Sequence, residues 1–339
     1  MNRIGVAVIG AGAWGINHVR VVATEPRCRL VAVVDPDAAC RERASAFDTD
    51  CVHADPDAVL GDPRVDAVVI ATPAPTHAVL ARRALEANKH VLIEKPVALS
   101  LAEAIALRDL AKQTDRVAMI GHLMLFHPAV IRLRQLVTSG QLGTLHGLHS
   151  TRVNLGRHRK DPSVLWSFGP HDLSMFDFVC AKFPTSISAR GYSMVQPDVL
   201  DVAFLTLRYP GGEMAHVHLS WLHPRKERRL TLVGSERMVE FDDVATDKLR
   251  IFEKGAERVP DFTQFDQYLT IARGAVHVPQ IPMVEPLHAQ LSHFLDCIET
   301  ATPPLTDLES GVRVTSILDA AQKSLDQDGT PIAPRCEEP

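Results

Sequence analysis

An α/β fold is predicted for this chain: an N-terminal, doubly wound parallel sheet, then a C-terminal α+β domain with an open, largely antiparallel sheet. Three observations predict it. Short β-branched runs alternate with Ala-, Leu- and Arg-rich segments of helix length through the first ~120 residues. A glycine-rich turn follows the first run directly, and after Pro128 the apolar runs crowd together behind short turns.

The runs Ile4 to Ile9, Leu30 to Val34, Ala67 to Ile70, Val91 to Ile93 and Val117 to Ile120 read as strands. They are apolar at every position, as strands are when helices cover both faces of a parallel sheet. Asp35-Pro36-Asp37 and the capping box Ser100-Leu101-Ala102-Glu103 supply helix-start chemistry after two of these strands. Beyond Pro128 a helical run reaches Ser139, and Gly140 and Gly143 break it. Strands follow at Leu145 to Leu155, Ser186 to Tyr192, Val202 to Tyr209, Met214 to Trp221, Leu230 to Val233 and Val239 to Phe241. The segment Pro170 to Ala181 is apolar on nearly every side and reads as a buried helix with His171 at its N-terminus. Two more helices are expected at Leu287 to Thr300 and Leu308 to Leu325, before a proline-rich, frayed end. The division implied is 1–122 and 123–330, with the C-terminal helices packing back on the first domain.

The chain has 339 residues, 46% hydrophobic, 23% charged, with a formal net charge of -5. That balance excludes a disordered chain and a nucleic-acid-binding polycation, and points to a small-molecule ligand. Met1-Asn2-Arg3 leads straight into a strand and no stretch approaches a membrane span, so the expected location is cytoplasmic, away from membranes. Six scattered cysteines lack metal-ligand or redox spacing, and neither disulfides nor a metal is expected.

Gly10-Ala11-Gly12-Ala13-Trp14-Gly15 is a Gly-x-Gly-x-x-Gly turn between the first strand and a helix. Glycines there allow a tight turn and close backbone approach, so a pyrophosphate can rest on the helix N-terminus. The next strand ends in Asp35, which is 35 - 15 = 20 residues past the third glycine, where a carboxylate binds the ribose hydroxyls of a dinucleotide. A carboxylate repels a 2'-phosphate, and Pro36 and Asp37 follow in place of an arginine, so NAD is expected over NADP. Ala71-Thr72-Pro73 ends another core strand, with His77 in the helix beyond; Thr72 and Pro73 then border the nicotinamide ribose, while His77 is either a contact or a surface histidine. Glu94-Lys95-Pro96 closes the strand before the capping box. A lysine at the carboxyl end of a buried strand reaches the crevice where ligands of such sheets bind.

Taken together, the glycine turn, Thr72-Pro73 with His77, and Glu94-Lys95-Pro96 resemble the Gfo/Idh/MocA family of NAD(P)-dependent sugar and cyclitol oxidoreductases. The likeness continues through Gly121, Phe126-His127-Pro128, Gly169-Pro170-His171-Asp172 and Phe294 to Ile298. It implies a Rossmann domain holding NAD against Gly10, Gly12, Ala13, Trp14, Gly15, Asp35, Thr72, Pro73, His77, Glu94 and Lys95. It also implies that Lys95 touches both substrate and cofactor ribose, that His171 is the acid/base, and that the bond before Pro96 is cis. On residues alone, His171 at a helix N-terminus is disfavoured as a cation and ready to accept a proton, or it only caps the helix.

The aspartate that many members of the family carry four residues before this histidine is replaced by Ser167, so either another carboxylate orients His171, Asp172 being a weak candidate that also fits a helix cap, or the histidine works without one. Asn154-Leu155-Gly156, Arg157-His158-Arg159-Lys160 and Leu165 to Asp172 resemble the branch with UDP-N-acetylglucosamine and UDP-N-acetylglucosaminuronate 3-dehydrogenases. A diphosphate needs cationic donors, which Arg157 and Arg159 supply unless this is a solvated loop; Asp172 is a further substrate candidate. The run Arg225 to Arg229 reads mainly as a surface turn. The reaction implied is oxidation of a secondary sugar hydroxyl, C3 favoured, in sugar-nucleotide biosynthesis for a cell-surface polysaccharide. Alternatives are a free sugar, an inositol or a glycosidic bond opened by transient oxidation, or a non-catalytic NAD-binding sensor. A homodimer or homotetramer is expected.

Overall fold

A computed structural model describes residues 3–156, 163–255 and 274–335. The described residues divide into two compact units, drawn from Met1–Phe126 with Val284–Thr315, and from His127–Met283 with Ser316–Pro339.

In the first unit β1 (Ile4–Ile9), β2 (Cys28–Val34), β3 (Cys51–His53), β4 (Ala67–Ile70), β5 (His90–Ile93) and β6 (Ala118–Ile120) alternate with helices α1 (Gly15–Thr24), α2 (Ala38–Ala44), α3 (Asp57–Leu60), α4 (His77–Glu86) and α5 (Leu101–Lys112). The strands pair in parallel in the order β3-β2-β1-β4-β5-β6. This is the doubly wound arrangement expected, and its carboxyl ends carry Gly10, Asp35, Thr72 and Lys95. Neighbouring strand residues point to opposite faces. Accordingly Ala7 and Ile9 enter one apolar core, while Val6 and Val8 enter another that includes Phe294 and Leu295 of α8 (Pro286–Thr300, numbered after the second unit). Ser100 accepts a hydrogen bond from the Glu103 backbone and donates to its carboxylate, and Asp37 accepts from Ala39; a cap of this kind contributes about 1 kcal/mol.

The second unit holds α6 (Pro128–Thr138), β7 (Leu145–Leu155), α7 (Val164–Cys180), β8 (Ser186–Tyr192), β9 (Val202–Arg208), β10 (Met214–Ser220), β11 (Leu222–Gly234), β12 (Met238–Asp242), β13 (Leu249–Phe252) and β14 (Val276–His277); α9 spans Leu308–Asp326. Its sheet runs β14-β13-β12-β11-β7-β10-β9-β8, antiparallel apart from the β10–β7 pair. No helix among the described residues is long and apolar enough to cross a membrane.

Three expectations change. The short strands β3, β13 and β14, at or next to a sheet edge, were not anticipated; they are too short to show a period. β11 begins at Leu222, since the basic run Arg225 to Arg229 is not a simple turn but belongs to a strand with a register break between Leu222 and Glu227. Most consequentially, α7 starts at Val164, with Pro170 inside it, so His171 lies in mid-helix. The dipole argument for a neutral His171 therefore fails. A proline is favoured at a helix start because its missing N–H is no loss there; here the fully buried Val164 and Leu165 carry the helix in ahead of it.

Candidate active site

The glycine turn is shaped by two close approaches. Gly10 has φ +96°, a region other residues avoid, and a Cβ on it would lie 2.6 Å from the Ala71 carbonyl oxygen. A Cβ on Gly15 would meet the Gly10 carbonyl oxygen at 2.0 Å, so the helix start can press against the strand only with glycine there. Gly12 is different, because a Cβ on it meets nothing within 4 Å. That open space faces a cavity of about 840 Å³ lined by the turn, Trp14, Asp35, Thr72 and Pro73.

Asp35 fixes the turn as well as lining the cavity. Its Oδ2 accepts from the Ala11 N–H at 2.8 Å and its Oδ1 from the Asp37 N–H at 2.9 Å. Each oxygen keeps lone-pair capacity for a ribose hydroxyl. Arg41, which sequence reasoning passed over, donates to the carbonyls of Asp35 and Pro36 at 2.7 and 2.8 Å. An open cradle at Gly12 beside α1 and a carboxylate on the same cavity wall fit a dinucleotide: the turn would hold the pyrophosphate and Asp35 the adenosine ribose.

His77 is buried, with Nδ1 2.7 Å from the Pro96 carbonyl oxygen and Nε2 2.8 Å from that of Thr72. It ties the Thr72 loop to the lysine corner and its ring nitrogens are both taken up by the protein. The Lys95–Pro96 bond is cis. Glu94 is buried, and its Oε1 accepts from Trp14 Nε1 at 2.7 Å and lies 2.8 Å from His18 Nε2. Burial alone would raise this carboxyl; the His18 hydrogen bond and charge, Lys95 and Trp14 together bring it down to about 2, so it is ionised. The ring of His122, just past β6, is buried without a hydrogen-bond partner, and burial chiefly pushes it down to about 4. Neither His18 nor His122 was singled out from the sequence. A histidine four residues into a helix or one after a strand carries no signal by spacing.

In the second unit His171 is half-buried on α7, and its carbonyl accepts from Ser174 Oγ at 3.0 Å. Asp172 is 1% exposed and caps nothing: Arg152 Nε donates to its Oδ2 at 2.7 Å and Ser150 Oγ to its Oδ1 at 2.6 Å. Its oxygens thus serve an internal pair between α7 and β7. Ser167, buried, donates its backbone N–H to the Ser163 carbonyl within α7. Arg157 and Arg159 lie outside the described residues.

Residues 4–122 match the oxidoreductase family with an NAD-binding Rossmann fold, and residues 130–240 match the Gfo/Idh/MocA C-terminal domain. The chain belongs to the Gfo/Idh/MocA family. Within that family it is 30% identical over 319 residues to UDP-N-acetylglucosamine 3-dehydrogenase of Acidithiobacillus ferrooxidans, spanning 93% of this chain and 95% of that protein. A solved structure of that enzyme superposes with a TM-score of 0.83 at 28% identity, covering 96% of this chain and 99% of the other. Scyllo-inositol 2-dehydrogenase (NAD(+)) of Bacillus subtilis is 24% identical over 92% of each chain. This Gfo/Idh/MocA protein is therefore an NAD-dependent oxidoreductase, with the cofactor domain in the glycine-turn unit.

Proposed function

We propose that the protein oxidises a secondary hydroxyl, at C3, of a UDP-N-acetylhexosamine or its uronate to a 3-keto sugar. The observation that carries this reading is the likeness to UDP-N-acetylglucosamine 3-dehydrogenase, which runs through both domains at 30% identity. Bound NAD supplies the hydride acceptor. The turn from Gly10 to Gly15 and Asp35 hold it, with Thr72 and Pro73 bordering its nicotinamide end. Lys95 donates a hydrogen bond to the substrate oxygen and stabilises the negative charge that develops there as the C–H bond breaks. His171 accepts the hydroxyl proton. Its mid-helix position removes the N-terminal dipole as a reason for a neutral ring.

The open face of the second sheet, where Phe204 is half-exposed, supports self-association. A second reading, oxidation of an inositol or free sugar, is supported by the full-length likeness to scyllo-inositol 2-dehydrogenase. The test is formation of NADH, read by absorbance, with UDP-N-acetylglucosamine, its uronate, free hexoses and inositols. The reading predicts turnover with the nucleotide sugars, lost in Lys95→Ala and His171→Ala while NAD still binds. Turnover confined to inositols or hexoses sinks the substrate class; normal turnover in either variant sinks the residue roles.

A further inference from the structure

Glu94 poses a physical question that the family reading leaves open. It is a buried, ionised carboxylate beside Lys95, and burying such a charge is unfavourable unless its partners compensate. The partners come from two places. Trp14, in the glycine turn, and His18, one turn into α1, both meet Oε1, at 2.7 and 2.8 Å. Because an ionised carboxylate only accepts, His18 Nε2 is the donor in that bond. The other oxygen accepts from the Lys95 backbone N–H at 3.2 Å. The carboxylate is thereby committed to protein groups on both sides. Gly121 packs against it closely enough that a Cβ there would lie 3.1 Å from Oε1.

We propose that Glu94 is a positioning residue for Lys95, anchored by Trp14 and His18, so that one wall of the cofactor cavity and the lysine corner form a single hydrogen-bonded unit. Trp14 is the link, since it lines the cavity and is 44% exposed while its indole N–H is held by Glu94. Whatever fills the cavity presses on a side chain tied through one carboxylate to the lysine backbone. The charge matters as well as the geometry. An anion at the adjacent residue favours the ammonium form of Lys95, the form that polarises a hydroxyl. The titratable groups facing Glu94 are His18 from α1, Lys95 itself and the buried His122 beyond β6. This inference rests on the reading that Lys95 contacts the reacting oxygen.

The test compares Glu94→Gln and Trp14→Phe with the parent protein. In the protein without cofactor, the rate at which acetic anhydride modifies Lys95 is followed against pH by mass spectrometry of its peptide. Losing the carboxylate lowers the lysine's proton affinity, so Glu94→Gln should be labelled roughly threefold faster or more at about pH 8, a half-unit shift. In turnover, kcat should fall roughly tenfold or more while the Kd for NAD changes less than about threefold, because glutamine keeps an oxygen that can accept from Trp14 Nε1 and the glycines of the turn are unchanged. Trp14→Phe should lower kcat by a smaller factor, with labelling close to the parent; it decides the question alone if Glu94→Gln does not fold. Labelling and kcat of Glu94→Gln both within about twofold of the parent, or a normal kcat in Trp14→Phe should Glu94→Gln not fold, overturn the inference. Lys95→Ala separates the two claims: if it retains turnover the functional reading fails, whereas an inactive Lys95→Ala beside a normal Glu94→Gln defeats only this inference.

Discussion

Replacing Asp172 by asparagine should destabilise the second unit more than any surface change could, because it leaves Arg152 charged and buried without its counter-ion. The two side chains are 2% and 6% exposed, joined at 2.7 Å through Nε and at 3.3 Å through Nη2, with Ser150 donating to the same carboxylate. Breaking a buried pair by removing one partner costs about 3–5 kcal/mol, and the weakened Ser150 contact adds about 1 kcal/mol. Against a typical total of about 5–15 kcal/mol, that is a large fraction. The assay is urea unfolding followed by fluorescence in a Trp14→Phe background, where the remaining indoles, Trp166 and Trp221, both report on the second unit. The double variant Arg152→Met/Asp172→Leu, which removes both charges, should recover to within about 2 kcal/mol of the parent. A loss below about 1 kcal/mol in Asp172→Asn, or a double variant no more stable than the single, would refute the reasoning. Since α7 carries His171, the single variant should also lose turnover even below its unfolding transition.

Three further outcomes follow from the first unit. Gly12→Val should fold with an unchanged Tm yet lose NAD affinity, measured by calorimetry, because its Cβ enters the open cradle; Gly10→Ala, which meets the Ala71 carbonyl at 2.6 Å, should lower Tm instead. The buried His122 binds its proton only near pH 4, while an unfolded chain takes one up below about 6.5. Stability should thus fall as pH drops from 6.5 to about 4, by up to about 3 kcal/mol for this group, and His122→Gln should flatten that slope in denaturant titrations. Asp35→Ser should raise the NADP-to-NAD ratio of kcat/KM, since Arg41 is already bonded to the Asp35 and Pro36 carbonyls and no carboxylate then opposes a 2'-phosphate; an unchanged ratio would remove Asp35 from cofactor selection.

The doubly wound sheet was legible because Gly5 to Ile9, Leu30 to Val34, Ala67 to Ile70, Val91 to Ile93 and Ala118 to Ile120 are buried on both faces and so carry no polar side chain. β3 was not, since three half-buried residues at a sheet edge carry no such pressure. Pro170 misled for a definite reason: the rule that proline opens helices describes an average local preference, and the packing of Val164 and Leu165 overrode it. At the site, the glycine turn and Asp35 were readable because their geometry demands a fixed spacing. The partners that hold the functional residues were not. Trp14 and Glu94 are 80 positions apart, and Arg152 and Asp172 20 apart on different elements, so only the fold reveals that they meet. For the same reason the sequence does not show that Glu94 bonds Trp14 or that His77 meets the Pro96 and Thr72 carbonyls.

The central claim is that hydride leaves C3 of a nucleotide-linked hexosamine. It is tested most directly with UDP-N-acetylglucosamine and its uronate carrying deuterium at C3, by mass spectrometry of the NADH formed. The account predicts deuterated NADH from one of them with a slowed turnover, and none from the Lys95→Ala protein. Reduction of NAD that leaves the label on the sugar, or reduction obtained only with inositols, would contradict it.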